Sequence, residues 1–309
     1  MAQSLPHARP IAPTQPEVGV VVPQRPGLEL SVFGASDIGR TRRRNEDQFV
    51  VATLTGTLWI EQSSIPQERV KCGRERGHLM VVADGMGGHA GGDQASTIAA
   101  LAVEDVVLSA LGWLFRLDEP ESRVLEELRE ALRRADATVS ARAAENPEMR
   151  AMGTTLTLAY SVDDILYVAH AGDSRCYILR GNDLHQITRD HTLARELVEA
   201  GVIRPADIEH NQFRHVVTNV VGGGTTGIAA EVHKVELLAG DTVLLCTDGL
   251  TNVVREDRII DTLTRAATSE VACLELVQIA NDAGGPDNIT AIVGRYNASA
   301  IESTPPPPL

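Results

Sequence analysis

Aromatic residues make up only 3% of the chain, and no apolar run approaches the ~20 residues that a membrane span requires. A core without rings must be built from Val, Leu, Ile and Ala, and it leaves little stacking surface for single-stranded nucleic acid. The four cysteines, Cys72, Cys176, Cys246 and Cys273, form no C-x-x-C pair, which argues against a thiolate zinc site and a disulfide framework and leaves buried, reduced thiols as the expectation. No N-terminal stretch combines a basic start with an apolar core, so a cytoplasmic protein without membrane attachment is expected. The run G-x-x-x-x-G-K-[ST] is also missing, which argues against a P-loop enzyme.

Positive charge is scarce as well. The formal net charge of -14 disfavours non-specific binding to nucleic acid or anionic lipid. The local exception is Arg40, Arg42, Arg43 and Arg44, directly before Asn45-Glu46-Asp47, a placement that favours a specific anion site over a solvated basic face.

What is present is a chain organised between two proline-rich ends. Residues 1–27 carry six prolines and read as a disordered tail, and 297–309 as a second one ending in four prolines. Between them, strand patterns are expected at 28–36, 48–59 and 79–83, followed by helical periodicity at 92–114 and 121–145. A polar insertion at 62–77 separates the second and third strands. A meander follows at 154–162, 165–171, 176–180 and 184–187, then a helix at 192–200 and an irregular block at 202–224. Strands at 231–237, 242–247 and 289–296 enclose helices at 255–267 and 269–282. Strands in groups and helices in pairs do not make a doubly wound parallel sheet. The grouping predicts an α+β fold, a four-layer α-β-β-α sandwich of two antiparallel sheets flanked by helix pairs.

Acidic residues recur where these apolar strands end. They are Glu46-Asp47, Asp84 in Asp84-Gly85-Met86-Gly87-Gly88, Asp173, Asp248 before Gly249, and Asp287 before Asn288. The Asp84 stretch alone does not decide between a cation site, a phosphate-binding loop without metal and a tight strand-to-helix turn. As a set, desolvated carboxylates repel one another unless cations neutralise them, and carboxylate-and-water shells without a His or Cys cluster suit Mg2+ or Mn2+. Two such ions can activate a water and clamp a phosphoryl group, for which Arg42 offers a bidentate partner.

In this order, Arg42-Arg43-Arg44-Asn45-Glu46-Asp47, Asp84-Gly85-Met86-Gly87-Gly88, Gly153-Thr154-Thr155, Gly172-Asp173-Ser174-Arg175, Asp248-Gly249-Leu250 and Gly285-Pro286-Asp287-Asn288-Ile289-Thr290 resemble the metal-dependent serine/threonine protein phosphatases of the PPM, or type 2C, class, bacterial members above all. The resemblance covers residues 28–296, with a flap at about 190–224. It implies hydrolysis of phosphoserine and phosphothreonine by a water bridging two Mn2+ or Mg2+ ions. Asp84 would bridge them, with the Gly85 carbonyl and Glu46 or Asp47 on one ion and Asp248 and Asp287 on the other. Asp173 would hold a third, weaker ion, Arg42 the substrate phosphate, and Asn288 would orient Asp287. Phosphoprotein substrates that are targets of a Ser/Thr kinase, a monomeric state and the same sandwich fold are implied too.

The chain departs from that pattern at three places. Met86 stands where some members carry a general-acid His, which leaves proton delivery to a metal-bound water or to His89. Asn252 replaces an Asp of the third site, and Gly222-Gly223-Gly224 predicts a loosened segment after the flap. Two other readings remain: a catalytically silent PPM-like regulatory binding module, and a hydrolase of another phosphoester such as a nucleotide. The complete acid set weighs against the first and the scarcity of rings against the second.

Overall fold

A computed structural model describes residues 27–59, 70–87, 91–114, 121–224 and 227–299. Both tails, apart from their innermost residues, lie outside that range, as do His89 and residues 60–69 of the polar insertion. The strands are β1 (Leu28–Asp37), β2 (Asp47–Trp59), β3 (Val70–Met86), β4 (Gly153–Thr154), β5 (Leu156–Val162), β6 (Ile165–Ala171), β7 (Arg175–Arg180), β8 (Asp183–Gln186), β9 (Val221–Gly222), β10 (Glu231–Glu236), β11 (Thr242–Cys246) and β12 (Ile289–Ala298). The helices are α1 (Gly91–Leu114), α2 (Glu121–Glu145), α3 (Leu193–Glu199), α4 (Asp248–Thr251), α5 (Glu256–Arg265) and α6 (Ser269–Asp282).

Two antiparallel sheets form, in the orders β1-β12-β11-β7-β8 and β10-β6-β5-β3-β4-β9, with β2 joined to β3. The expected four layers are visible in how the apolar residues divide. On β3, Leu79, Val81 and Ala83 face a core shared with Ala95, Ala99 and Val103 of α1 and Leu132 and Val139 of α2. Alternating with them, Met80 and Val82 enter a second core with Ile178, Val243, Leu245 and Ile292 of the opposite sheet. A strand covered on both sides needs apolar residues at every position, which explains the unbroken run from Leu79 to Ala83. A third core packs Leu244, Ala291 and Val293 against Ile259 and Leu263 of α5 and Ala272, Leu276 and Ala280 of α6. Helix α6 is capped by Thr268, whose hydroxyl accepts the Val271 N–H at 3.1 Å and so satisfies one of the free donors of the first turn.

The structure corrects the sequence at four places. Strand β3 starts at Val70, so residues 70–77 of the expected insertion belong to a strand that runs opposite β2 out to Trp59, with a bulge between Cys72 and Arg76. Their charged residues Lys71, Arg74, Glu75 and Arg76 had hidden the strand pattern. The expected strand at 154–162 is broken at Thr155, which bonds Asp84 through both its backbone and its hydroxyl. The irregular block contains a 3-10 turn, Pro205–His210, and the short β9, which pairs with β4.

The fourth concerns Gly222-Gly223-Gly224. All three have positive φ, at 78°, 70° and 71°, a conformation that side chains resist and glycine accepts. The run is held rather than loosened, because Gly222 N–H donates to Asp136 Oδ1 at 2.7 Å and Gly223 N–H to Met152 O at 2.8 Å.

Candidate active site

Strand register alone gathers the acidic residues. The start of β2 pairs with the end of β3, placing Asp47 opposite Asp84. The start of β5 lies beside the end of β6, which leads to Asp173. In the other sheet the end of β11 pairs with the start of β12, bringing Asp248 and Asp287 to the same edge. A cleft opens there, lined by Arg42, Glu46, Asp84, Gly85, Asp173, Asp248, Asp287 and Asn288. Asp47 lies beneath its floor at 3% exposure.

Asp84 is fixed by its backbone. Its N–H donates to Thr155 Oγ1 at 3.0 Å, and its carbonyl accepts the Thr155 N–H and the Thr154 hydroxyl, both at 2.9 Å. Thr155 Oγ1 is itself 2.7 Å from Ser174 Oγ, so two of the sequence motifs meet behind this one residue. Burial, and then the charges of Asp47, Asp248, Asp173 and Asp287, push the Asp84 carboxyl well above the usual range.

Asp47 Oδ2 accepts the hydroxyls of Thr247 at 2.9 Å and Thr290 at 2.7 Å, both from the opposite sheet. Burial outweighs these two bonds, and the Asp47 carboxyl rises to about 7. Burial and the Asp248 charge push Asp173 up to about 8, and burial and Asp287 raise Asp248.

At the mouth, Arg42 Nη2 donates to Asp287 Oδ2 at 2.6 Å, with the arginine side chain 52% exposed. Asn288 holds the loop before β2: its Nδ2 donates to Ile38 O and Arg44 O at 3.0 and 2.9 Å, and its Oδ1 accepts the Glu46 N–H at 2.8 Å. The expected contact with Asp287 comes from the Asn288 backbone N–H, at 2.9 Å, while the side chain seats Glu46. Asn252 turns its Nδ2 to Asp248 Oδ2 at 2.9 Å, so a neutral donor stands where the resemblance places a third-site carboxylate. Met86 lines the cleft, and the flap adds Arg214 and His215.

Several positioning residues were not singled out from the sequence. Ser96 Oγ donates to Glu46 O at 2.6 Å. Gly92 has no room for a side chain, since a Cβ there would lie 2.6 Å from Glu46 Oε2 and 2.9 Å from the Gly85 carbonyl carbon. The sequence signal was the second glycine of Gly91-Gly92 at a helix start, where alanine is otherwise favoured by about 1 kcal/mol. Gly92→Ala should cost about 1–3 kcal/mol of stability through overpacking and displace Glu46. Thermal unfolding, together with weaker Mn2+ binding in a titration, checks this.

The donor set fits hard divalent cations. Asp47 Oδ1 and Asp248 Oδ1 are buried without a hydrogen-bond partner, and the cleft gathers Glu46, Asp84, Asp173, Asp248 and Asp287, with Arg42, Arg43, Arg44 and Arg214 also in its lining. Among the described residues no group of three or more Asp, Glu, His or Cys side chains is drawn together closely enough to hold an ion by itself.

The sequence matches the family described as Protein phosphatase 2C over residues 55–278. It is 36% identical over 215 residues to the serine/threonine protein phosphatase PstP of Mycobacterium tuberculosis, covering 70% of this chain and 40% of that protein. To the serine/threonine phosphatase stp of Listeria welshimeri it is 31% identical over 263 residues, 85% of this chain and 94% of the relative. The solved structure of the Mycobacterium tuberculosis phosphatase PstP/Ppp superposes with a TM-score of 0.69 at 30% identity, over 87% of this chain and 99% of that one. A solved structure of the catalytic domain of the serine/threonine protein phosphatase PstP in complex with two manganese ions gives a TM-score of 0.66 at 30% identity, over 87% of this chain and 99% of that one.

Proposed function

The chain belongs to the protein phosphatase 2C family, and on that premise we propose that it hydrolyses phosphoserine and phosphothreonine in protein substrates, dependent on two Mn2+ or Mg2+ ions. The observation that carries this reading is the set of buried, mutually repelling carboxylates beneath Arg42, two of them with unpaired oxygens. Glu46, Asp47, Asp84, the Gly85 carbonyl, Asp248 and Asp287 are the groups that would hold the two ions. Asp173 would serve a third, weaker site. When bound, the ions neutralise these carboxylates and allow water to act as a nucleophile at neutral pH.

The chain's own residues supply position. Asp287 takes one Nη of Arg42 and so directs the guanidinium along the mouth, and the remaining donors of that fork exceed what one carboxylate oxygen accepts. They suit two oxygens of a phosphate. The Thr154, Thr155 and Ser174 hydroxyls keep Asp84 at the strand end, and Asn288 keeps Glu46 beside it. Met86 has no titratable proton, so it takes no part in protonating the leaving alkoxide oxygen.

Targets of a Ser/Thr kinase are the substrates we infer, with the protein acting as a monomer in the cytoplasm and away from membranes and nucleic acid. The net charge of -14 supports the last point. Cys176, Cys246 and Cys273, buried and unbridged, suit a reducing compartment. Purified protein should release phosphate from a phosphothreonine peptide with Mn2+ and fall silent in chelator. Arg42→Ala should raise KM by roughly 10-fold or more, the worth of a charge-assisted bond. Turnover that ignores chelator would overturn the reading.

A further inference from the structure

A second group of buried titratable side chains lies where the flap leaves the scaffold. His170, fully buried, and His191, at 7% exposure, stack with ring centroids 4.8 Å apart. His170 Nε2 lies 3.1 Å from Arg189 O, which only accepts, so Nε2 carries the hydrogen and Nδ1 accepts from the Thr157 hydroxyl at 2.8 Å. Burial, and then His191, push the pKa of His170 down to about 4, which keeps the ring neutral.

His191 has its tautomer set in the same way. Gly172 N–H donates to its Nδ1 at 3.1 Å, so the ring hydrogen sits on Nε2 and is donated to Glu231 Oε2 at 3.0 Å. Asn219 Nδ2 lies 3.0 Å from that Nδ1 as well. Along the backbone, His191 N–H donates to Gly172 O at 2.7 Å and His191 O accepts the Thr218 N–H at 2.8 Å. One residue therefore joins the turn before Asp173, both arms of the flap and β10. Between those arms the flap carries Arg214 and His215 into the cleft, beside Asp173 and Asp248. Asp190, next to His191, is clamped by Arg175 through bonds of 2.8 and 2.6 Å, so the junction is braced on its other side.

We propose that His191 is a positioning residue whose Nδ1 holds the turn carrying Asp173 in register with the root of the flap, linking cation binding at Asp173 to the seating of Arg214 and His215 over the cleft. The proposal rests on the phosphatase reading. It assigns the link to one acceptor atom, and two substitutions separate that atom from the rest of the ring. Asn places its Oδ1 where Nδ1 stands and keeps the Gly172 bond while losing Glu231. Gln reaches Glu231 with its Nε2 and leaves Gly172 N–H without an acceptor.

Calorimetric Mn2+ titration of the wild type, Asp173→Asn, His191→Asn and His191→Gln tests it, with thermal unfolding in chelator as the folding control. The Asp173→Asn variant identifies the weak site by losing it. His191→Gln should weaken that site by roughly tenfold or more and leave the two tighter ions in place, whereas His191→Asn should stay within about threefold of the wild type. His191→Gln should also raise KM for a phosphothreonine peptide while kcat for p-nitrophenyl phosphate, too small to need the flap, holds. Equal loss in both variants, retention in both, weak-site loss with an unchanged peptide KM, or a wild type without an Asp173-dependent ion each overturns the proposal. Failure of the phosphatase reading looks different: the wild type then hydrolyses neither substrate while its Mn2+ titration stands.

Discussion

Asp84→Asn should abolish phosphate release, by roughly 10^3-fold or more, and at the same time raise the melting temperature of the protein in chelator. The two effects share one cause. Asp84 is the acid on which the charges of Asp47, Asp248, Asp173 and Asp287 all act, so it is the worst-placed charge when nothing neutralises the group and the most useful one when cations do. An amide keeps the shape of the side chain, and the backbone bonds to Thr154 and Thr155 that hold this position are untouched. Removing one of several buried like charges relieves repulsion. With Mn2+ the order of stability reverses, because ions that bind only the folded state stabilise the wild type in proportion to their affinity. Phosphopeptide turnover and paired melting curves with Mn2+ and with chelator check this. A variant with more than a tenth of wild-type turnover, or one that melts lower than the wild type in chelator, contradicts the placement of Asp84 at the centre.

The layers and the acids were legible because their signals are local. Helices α2 and α6 and strand β6 fall where periodicity put them, since each presents one buried face or a short apolar run of fixed length. The carboxylates at strand ends were readable for the same reason, and antiparallel register did the rest. Helix α4 was missed because its four residues are too few to show a period. The cradle of Asp47 was missed on other grounds. Thr247 and Thr290 are 200 and 243 residues away in sequence, and nothing near either one says that its hydroxyl crosses to the opposite sheet. Gly92 and Ser96 likewise act on Glu46 from a helix whose pattern reports only its own buried face. The acidic residues that the cleft gathers therefore showed in the sequence, while the residues that hold them in place became visible only through contacts between distant segments.

The largest effect of solution conditions should be a melting temperature that rises in chelator as the pH is lowered from about 8.5 to 6.5 and falls over the same range with saturating Mn2+. Burial raises Asp47 from 3.8 to about 7 and Asp173 from 3.8 to about 8. A carboxyl with a raised folded pKa binds its proton more tightly when folded, so its contribution to stability is complete below the unfolded value and is lost as pH rises through the folded one. In chelator, each proton taken up across the window adds about 1.4 kcal/mol per pH unit. The lower limit of the window matters. His170 resists protonation when folded, with a pKa near 4 against an ordinary 6.5, so below 6.5 the unfolded chain gains protons there and the gain from the acids is offset. With Mn2+ the ligands must be deprotonated to bind, so acidification weakens the ions and removes the stability they confer. Opposite slopes thus separate this site from a generic surface effect, which would move both curves together. Asp173→Asn should flatten the chelator curve in its upper half, near pH 8, and leave the lower half, where Asp47 titrates, in place. Parallel curves with and without Mn2+, or a chelator curve that falls on acidification above pH 6.5, would show that these carboxylates do not share a desolvated site.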